Sequence, residues 1–135
     1  MATSMKLDVL TPVGALHEDV SVPGVEIPGL LGELGILAEH ESFITAIVPG
    51  VIRFRDGAKS VRLAVGVGFV EVKDGGRVVI LCERALTADE VDKGEAKTKL
   101  GAVNKKLDAY SGAISTATYR DLETERAWLS AQLAV

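Results

Sequence analysis

The chain has 135 residues, a net charge of −4, and 47% hydrophobic residues. That is room for one domain, or a small domain with an appendage, and enough apolar side chain to build a core; disorder is excluded on composition. An acidic balance argues against a nucleic-acid binder, which carries a basic patch, and a single cysteine, Cys82, rules out an internal disulfide.

The opening Met1-Ala2-Thr3-Ser4-Met5-Lys6 has neither the apolar centre of a signal peptide nor the arginines of a transit peptide. The expectation is a soluble, unprocessed chain that reaches a membrane only through a partner. The longest apolar stretch, Leu63 to Val70, is interrupted by glycines and too short to span a bilayer.

From Met5 to about Leu86 the sequence has the pattern of strands. Val, Ile and Leu dominate, and all four prolines and most of the glycines fall here. Ile52 and Phe54 alternate with Arg53 and Arg55; Val61, Leu63 and Val65 flank Arg62; Val70 and Val72 alternate with Phe69 and Glu71. A period of two sends one set of side chains to a core and the other to water. Asp56-Gly57 and Asp74-Gly75-Gly76 sit between these runs as hairpin turns, since Asp and Gly tolerate positive φ. Short strands punctuated this often predict an antiparallel β-sandwich or barrel.

After Ala85 the pattern changes, and no proline follows. Thr87-Ala88-Asp89-Glu90 is a capping box that predicts a helix start. Ala96, Leu100, Val103, Leu107 and Tyr110 share one helical face. Ser111-Gly112 predicts the helix end. A second helix is expected over roughly Thr116 to Leu133, with Tyr119, Leu122, Leu129 and Leu133 as its stripe and Arg126 in the remaining slot. Two helices with a short join form an antiparallel hairpin. Gly94 and Gly101 each cost about 1 kcal/mol of helix propensity, so the pair is expected to be a marginal appendage that leans on something. The division is residues 1–86 as a β-sandwich domain and 87–135 as a helical hairpin.

Catalytic patterns are missing. There is no phosphate loop of the G-x-x-x-x-G-K-[ST] type and no G-x-S-x-G elbow. Gly66-Val67-Gly68 begins a dinucleotide-like pattern, but Glu71 stands at the third glycine position and the context is strand. His17 and His40 are the only histidines, and no metal-ligand spacing appears. Cys82, within an apolar strand, is expected to be an inert core thiol. His17 is expected on a surface loop or edge strand, and Glu39 and Glu41 on a solvated face. No nucleophile, base and oxyanion site assembles, so a binding or structural part is favoured over an enzyme.

One succession of motifs is specific. Gly32-Glu33-Leu34-Gly35-Ile36-Leu37 runs to His40, then to Thr45-Ala46-Ile47 and Pro49-Gly50. Gly66-Val67-Gly68-Phe69-Val70-Glu71-Val72 and Val78-Val79-Ile80-Leu81-Cys82-Glu83-Arg84-Ala85 follow, and Leu7-Asp8-Val9-Leu10-Thr11-Pro12 precedes. In order and spacing this resembles the epsilon-subunit family of bacterial F-type ATP synthases, called delta in mitochondria.

The resemblance implies a non-catalytic rotor subunit without a cofactor, peripheral on the cytoplasmic face of the bacterial plasma membrane. Its sandwich would dock on the gamma subunit and on the polar loops of the c-ring. Its hairpin would fold against the sandwich or extend along gamma toward the alpha and beta subunits of the catalytic head, restraining ATP hydrolysis. Glu33, on what the sequence suggests is a turn, and His40 would lie at the ring contact. Leu30-Leu31, ahead of them, is either an added interface patch or a buried strand end. Some relatives bind ATP through Ile or Leu, Asp, two variable residues, Arg and Ala. Here that stretch is Val91-Asp92-Lys93-Gly94-Glu95-Ala96: Val91, Asp92 and Ala96 agree, but Glu95 replaces the arginine, which implies that ATP binding is lost. Isolated, the chain is expected to be a monomer. The alternative is a small β-barrel ligand-binding or accessory module with a helical tail.

Overall fold

A computed structural model describes residues 4–135; the start of the N-terminal segment weighed above as a leader, residues 1–3, lies outside the described residues. Ten strands come first: β1 (Met5–Thr11), β2 (Gly14–Val22), β3 (Gly24–Gly29), β4 (Gly32–Leu37), β5 (Phe43–Ile47), β6 (Gly50–Asp56), β7 (Lys59–Val65), β8 (Gly68–Lys73), β9 (Arg77–Cys82) and β10 (Ala85–Leu86). Helices α1 (Lys93–Asp108) and α2 (Ala117–Ala134) follow.

The strands form two layers. One runs β4-β3-β6-β7-β10 and the other β5-β8-β9-β1-β2; a single pairing, Gly29 with Ile47, joins β3 to β5 and makes the whole a curled sheet. This is the expected β-sandwich. All pairings are antiparallel except β1 with β9, a long-range match that local alternation does not reveal. The alternating residues behave as their period requires: Ile52, Phe54, Leu63, Val65, Val70 and Val72 are buried in the space between the layers, while Arg55, Arg62 and Glu71 are exposed.

Both glycine turns are present. Gly57 (φ 62°), Gly75 (φ 88°) and Gly76 (φ 80°) take the left-handed backbone that closes β6-β7 and β8-β9. Gly68 has another role: a Cβ there would sit 1.9 Å from the Leu81 carbonyl oxygen. That glycine lets β8 approach β9, and no phosphate cradle is built around it.

Helix α1 differs from expectation in its start, and α2 does not. The capping box at Thr87 is formed, with the Thr87 N–H donating to Glu90 Oε1 at 3.0 Å, but it closes only a 3-10 turn over Ala88–Glu90. The chain then extends at Val91, and α1 begins anew with Asp92 as N-cap, accepting from the Glu95 N–H at 3.0 Å. A second cap in the sequence thus overrides the first. Helix α2 is capped by Thr116 and runs one residue past the expected end. The expected stripes do meet: Ala96, Val103 and Leu129 are buried between the helices, with Leu100, Leu107, Leu122 and Leu133 around them. Tyr110 and Tyr119 close the far end with ring centroids 5.5 Å apart.

The hairpin lies on the outer face of β6 and β7. Val51 and Ala64 are direct cross-strand partners there, and Trp128 and Ala131 of α2 cover them. Burying a side chain of this kind contributes about 1.5–3 kcal/mol.

Candidate functional site

Glu33 is on strand β4, not in a turn. The turn proper is one step earlier, at Leu30-Leu31 between Gly29 and Gly32, because β3 and β4 pair up to Gly29 and Gly32. Leu31 is 105% exposed and Leu30 65%, so the dileucine is a protruding tip and not a buried strand end. Glu33 sits beside that tip. Its Oε1 accepts from Arg53 Nη1 at 3.3 Å, and the same guanidinium lies 3.7 Å from Glu26 Oε2. Glu33 also borders a groove whose opposite wall is α2, through Arg126, Ala127, Ser130 and Ala134.

His40 lies in the turn after β4. Its backbone N–H donates to the Leu37 carbonyl at 3.2 Å, its Nδ1 to the Glu41 carbonyl at 2.9 Å, and its ring packs on Phe43 at 4.8 Å. Strand β4 therefore separates the two ring-contact candidates: at about 3.3 Å per extended residue they stand on the order of 15 Å apart. The structure does not bring Glu33 and His40 together; it sets them at opposite ends of one edge strand.

The ATP-like residues are occupied structurally. Asp92 caps α1, and Ala96 is 2% exposed in the interhelical core. Glu95 pairs with Lys99 at 2.6 Å. The groove around them carries Glu90, Asp92, Glu95 and Glu125 against Arg84 and Lys99, an excess of negative charge. Arg126 is outside this groove: it pairs with Glu123 at 2.7 Å and faces the groove beside Glu33.

The other singled-out residues fall where their types suggested. Cys82 is buried, and desolvation, aided by the nearby Glu83 charge, pushes its thiol up to about 11, which keeps it protonated and unreactive. His17 lies half-buried on edge strand β2, edge-on to Phe54 at 5.1 Å, and burial lowers its pKa. Glu39 and Glu41 are exposed. Among the described residues no group of three or more His, Cys, Asp or Glu could hold a metal, and no polar side chain is buried. The space between the layers is filled mainly by aliphatic side chains, and at one end of it a cleft of about 380 Å³ opens between Leu37 and His40 on one side and Met5, Val72 and Val78 on the other.

Two residues escaped the sequence reading: Trp128 and Arg84. Trp128 is 5% exposed against the sandwich, with the Arg84 guanidinium stacked 4.3 Å from its ring centroid. The signal was available. Trp128, Ala131 and Val135 form a second stripe on α2, and Val51 and Ala64 are apolar where the alternation of β6 and β7 calls for polar residues.

The class of fold is a β-sandwich with a helical hairpin laid on its flank and an exposed apolar tip between β3 and β4. Known proteins agree. The beta-sandwich domain of the ATP synthase delta/epsilon chain matches residues 4–88. The ATP synthase epsilon chain of Desulforamulus reducens is 36% identical over 114 residues, which cover 84% of this chain and 85% of that one. The ATP synthase epsilon chain of Geobacter metallireducens is 32% identical over 134 residues, 99% of this chain and 96% of that one. In structure, a chain of the Euglena gracilis mitochondrial ATP synthase (OSCP/F1/c-ring) superposes with a TM-score of 0.84 at 21% identity, covering 99% of this chain and 82% of its own, which shows a shared fold. The chain belongs to the delta/epsilon family of ATP synthase subunits, as an epsilon chain. Among its described residues no helix is long and apolar enough to cross a membrane.

Proposed function

We propose that this chain joins the rotor shaft to the membrane ring. The sandwich binds the gamma subunit and rests on the polar loops of the c-ring, so that proton-driven rotation of the ring reaches the catalytic head. The protein acts as a part of that machine, without an active site of its own and without a cofactor. It resides peripherally on the cytoplasmic face of the bacterial plasma membrane, and alone it is a monomer.

The observation that carries this reading is the β3-β4 tip. Two exposed leucines and a carboxylate project from the sandwich beside the edge strand that bears the family motif. Such a tip suits a protein surface with an apolar patch and a polar rim. Glu33 is assigned to the ring contact. His40 is assigned to the same face of the assembly at the far end of β4, so the contact extends along the strand. The hairpin folds against the sandwich or extends along gamma to the alpha and beta subunits, restraining hydrolysis.

Co-expression with gamma is the test. Stoichiometric co-purification through gel filtration is expected; a chain that elutes free of gamma would sink the reading. Light scattering on the isolated chain is expected to give a monomer, and a stable dimer at low micromolar concentration would contradict it.

A further inference from the structure

The curled sheet has two seams between its layers. At one, β3 meets β5 through the backbone pairing of Gly29 with Ile47. At the other, β6 faces β2. Among the described residues β2 pairs only with β1, so no backbone ladder crosses that second seam. Side chains hold it. His17 of β2 meets Phe54 of β6 there, with ring centroids 5.1 Å apart and ring planes at 86°.

The backbone of β2 aims His17 inward. Leu7 and Val9 of β1 pair with Val20 and His17, so three steps along β2 oppose two along β1. The extra residue is taken up around Asp19, which is left-handed at φ 53°. A bulge of this kind re-aims the side chains beside it. Asp8 accepts from the Asp19 N–H at 2.7 Å and fixes the bulge. His17 thereby stands opposite Val9, which is fully buried, and on Phe54, which is 4% exposed.

An imidazole in that place fits the apolar seam while it is neutral. Charged groups act on it from the other layer: Asp56 of β6 favours the imidazolium, and Lys59 of β7 opposes it. From β1 the seam receives Val9. Asp8 beside it is bound, with Asp19, to Arg77, and Glu18 is exposed next to His17 on β2 itself. Loss of water around the ring outweighs the attraction of Asp56 and holds the His17 pKa below its ordinary value.

We propose that His17 is an acid-sensitive latch: neutral, it closes β2 on β6, and protonated, it frees the β2 edge while the β3-β5 seam stays paired. The sign follows from linkage. A histidine whose folded pKa is lowered contributes stability that is present above the ordinary value of about 6.5 and lost as pH falls through the folded value. The latch therefore opens on acidification. This goes beyond the stalk reading, and its outcome does not bear on gamma binding.

His17→Phe keeps an aromatic ring against Phe54 and removes the titrating group, while the carboxylates titrate alike in both chains. The full-length parent and this variant are compared between about pH 7.5 and pH 5. In proton NMR the His17 ring signal, assigned by its loss in His17→Phe, should titrate with a midpoint below about 6.5. In urea titrations the parent should lose stability relative to His17→Phe as pH falls. Amide exchange, expressed as protection factors, should place that loss in β2, severalfold in the parent and absent in the variant, with β3 and β5 unchanged. A midpoint at or above the ordinary histidine value would overturn the proposal, and so would parallel stability curves. Protection lost equally from β2, β3 and β5 would overturn it too, because His17 would then govern the whole sandwich and not one seam. If His17→Phe fails to fold by circular dichroism, His17→Leu takes its place with the same expected outcomes.

Discussion

Glu33 and Arg53 are linked at 3.3 Å across the outer face of the sandwich, on strands separated by β3. The carboxylate proposed to meet the ring is therefore also part of a surface network with Glu26. An exposed pair of this kind contributes about 0–1 kcal/mol to stability. Changes at Glu33 consequently read mainly on contacts outside the chain.

Glu33→Arg is expected to weaken the coupling of proton flow to synthesis while leaving ATPase activity of the soluble head unchanged. The effect should be partial, because charges at the rim of an interface contribute modestly to affinity. Proton pumping in inverted membrane vesicles measures it, with thermal melting of the isolated variant as the control. Unchanged pumping would remove Glu33 from the ring contact.

A chain ending at Leu86 is expected to fold alone and to bind gamma. All the residues of the sandwich core come before the helices. Losing the hairpin uncovers Val51 and Ala64, which costs about 2 kcal/mol of burial at most. Circular dichroism should show an intact strand signal with a modestly lowered melting temperature. An unfolded truncation would move the domain boundary; a folded one that ignores gamma would move the interface.

The sandwich was legible because its information is local: Ile52-Arg53-Phe54-Arg55 states both period and face, and Asp56-Gly57 states the turn. The interhelical stripe was legible for the same reason. The residues on which the hairpin docks were not legible, although Val51, Ala64 and Trp128 break their patterns in compatible ways, because each is apolar for a partner far off in the chain. The parallel pairing of β1 with β9 is long-range in the same sense. The misplaced start of α1 came from two caps in competition. Thr87 supplies a complete box, yet Asp92 caps the longer helix, and local chemistry does not rank them. Glu33 was assigned to a turn because glycines flank it at 32 and 35; the actual turn contains two leucines, a composition that turn statistics do not favour.

Asp8 offers a test of pH dependence. It accepts from the Asp19 N–H at 2.7 Å and from Arg77 Nη1 at 2.6 Å, and Arg77 reaches Asp19 at 2.5 Å. The backbone donor first, then the guanidinium, holds the Asp8 carboxyl below the usual carboxylate range. A folded-state pKa below the unfolded one means stability that is present above the ordinary carboxylate pKa and lost as pH falls through the depressed value. Asp8→Asn is expected to cost about 1 kcal/mol at neutral pH, with the gap to the parent chain closing below about pH 4. Urea titrations at several pH values measure this. A gap that stays constant into strong acid would show that the charge of Asp8 is not what stabilises the β1-β2-β9 junction.

The isolated chain is expected not to bind ATP. Val91, Asp92 and Ala96 match the relatives' motif in type, but each is committed elsewhere. Asp92 caps α1, Ala96 is buried between the helices, and Val91 belongs to the extended link before α1. Glu95, in the place of the arginine, is on the same helix face as Asp92 and holds Lys99 at 2.6 Å. A triphosphate entering the groove would meet Glu90, Asp92, Glu95 and Glu125, with only Arg84 and Lys99 opposed to them. Arg84 is already stacked on Trp128, so recruiting it would loosen the hairpin. Bidentate guanidinium recognition of phosphate is absent at the position where the motif needs it. Titration calorimetry of the isolated protein should therefore show no saturable heat with ATP. Glu95→Arg removes one carboxylate and supplies the fork, and binding that appears only in that variant would identify Glu95 as the departure that matters. A micromolar dissociation constant in the parent chain, abolished by Asp92→Ala, would overturn the expectation, because it would show that the Asp92 cap opens for the nucleotide and that the surplus of carboxylates is tolerated.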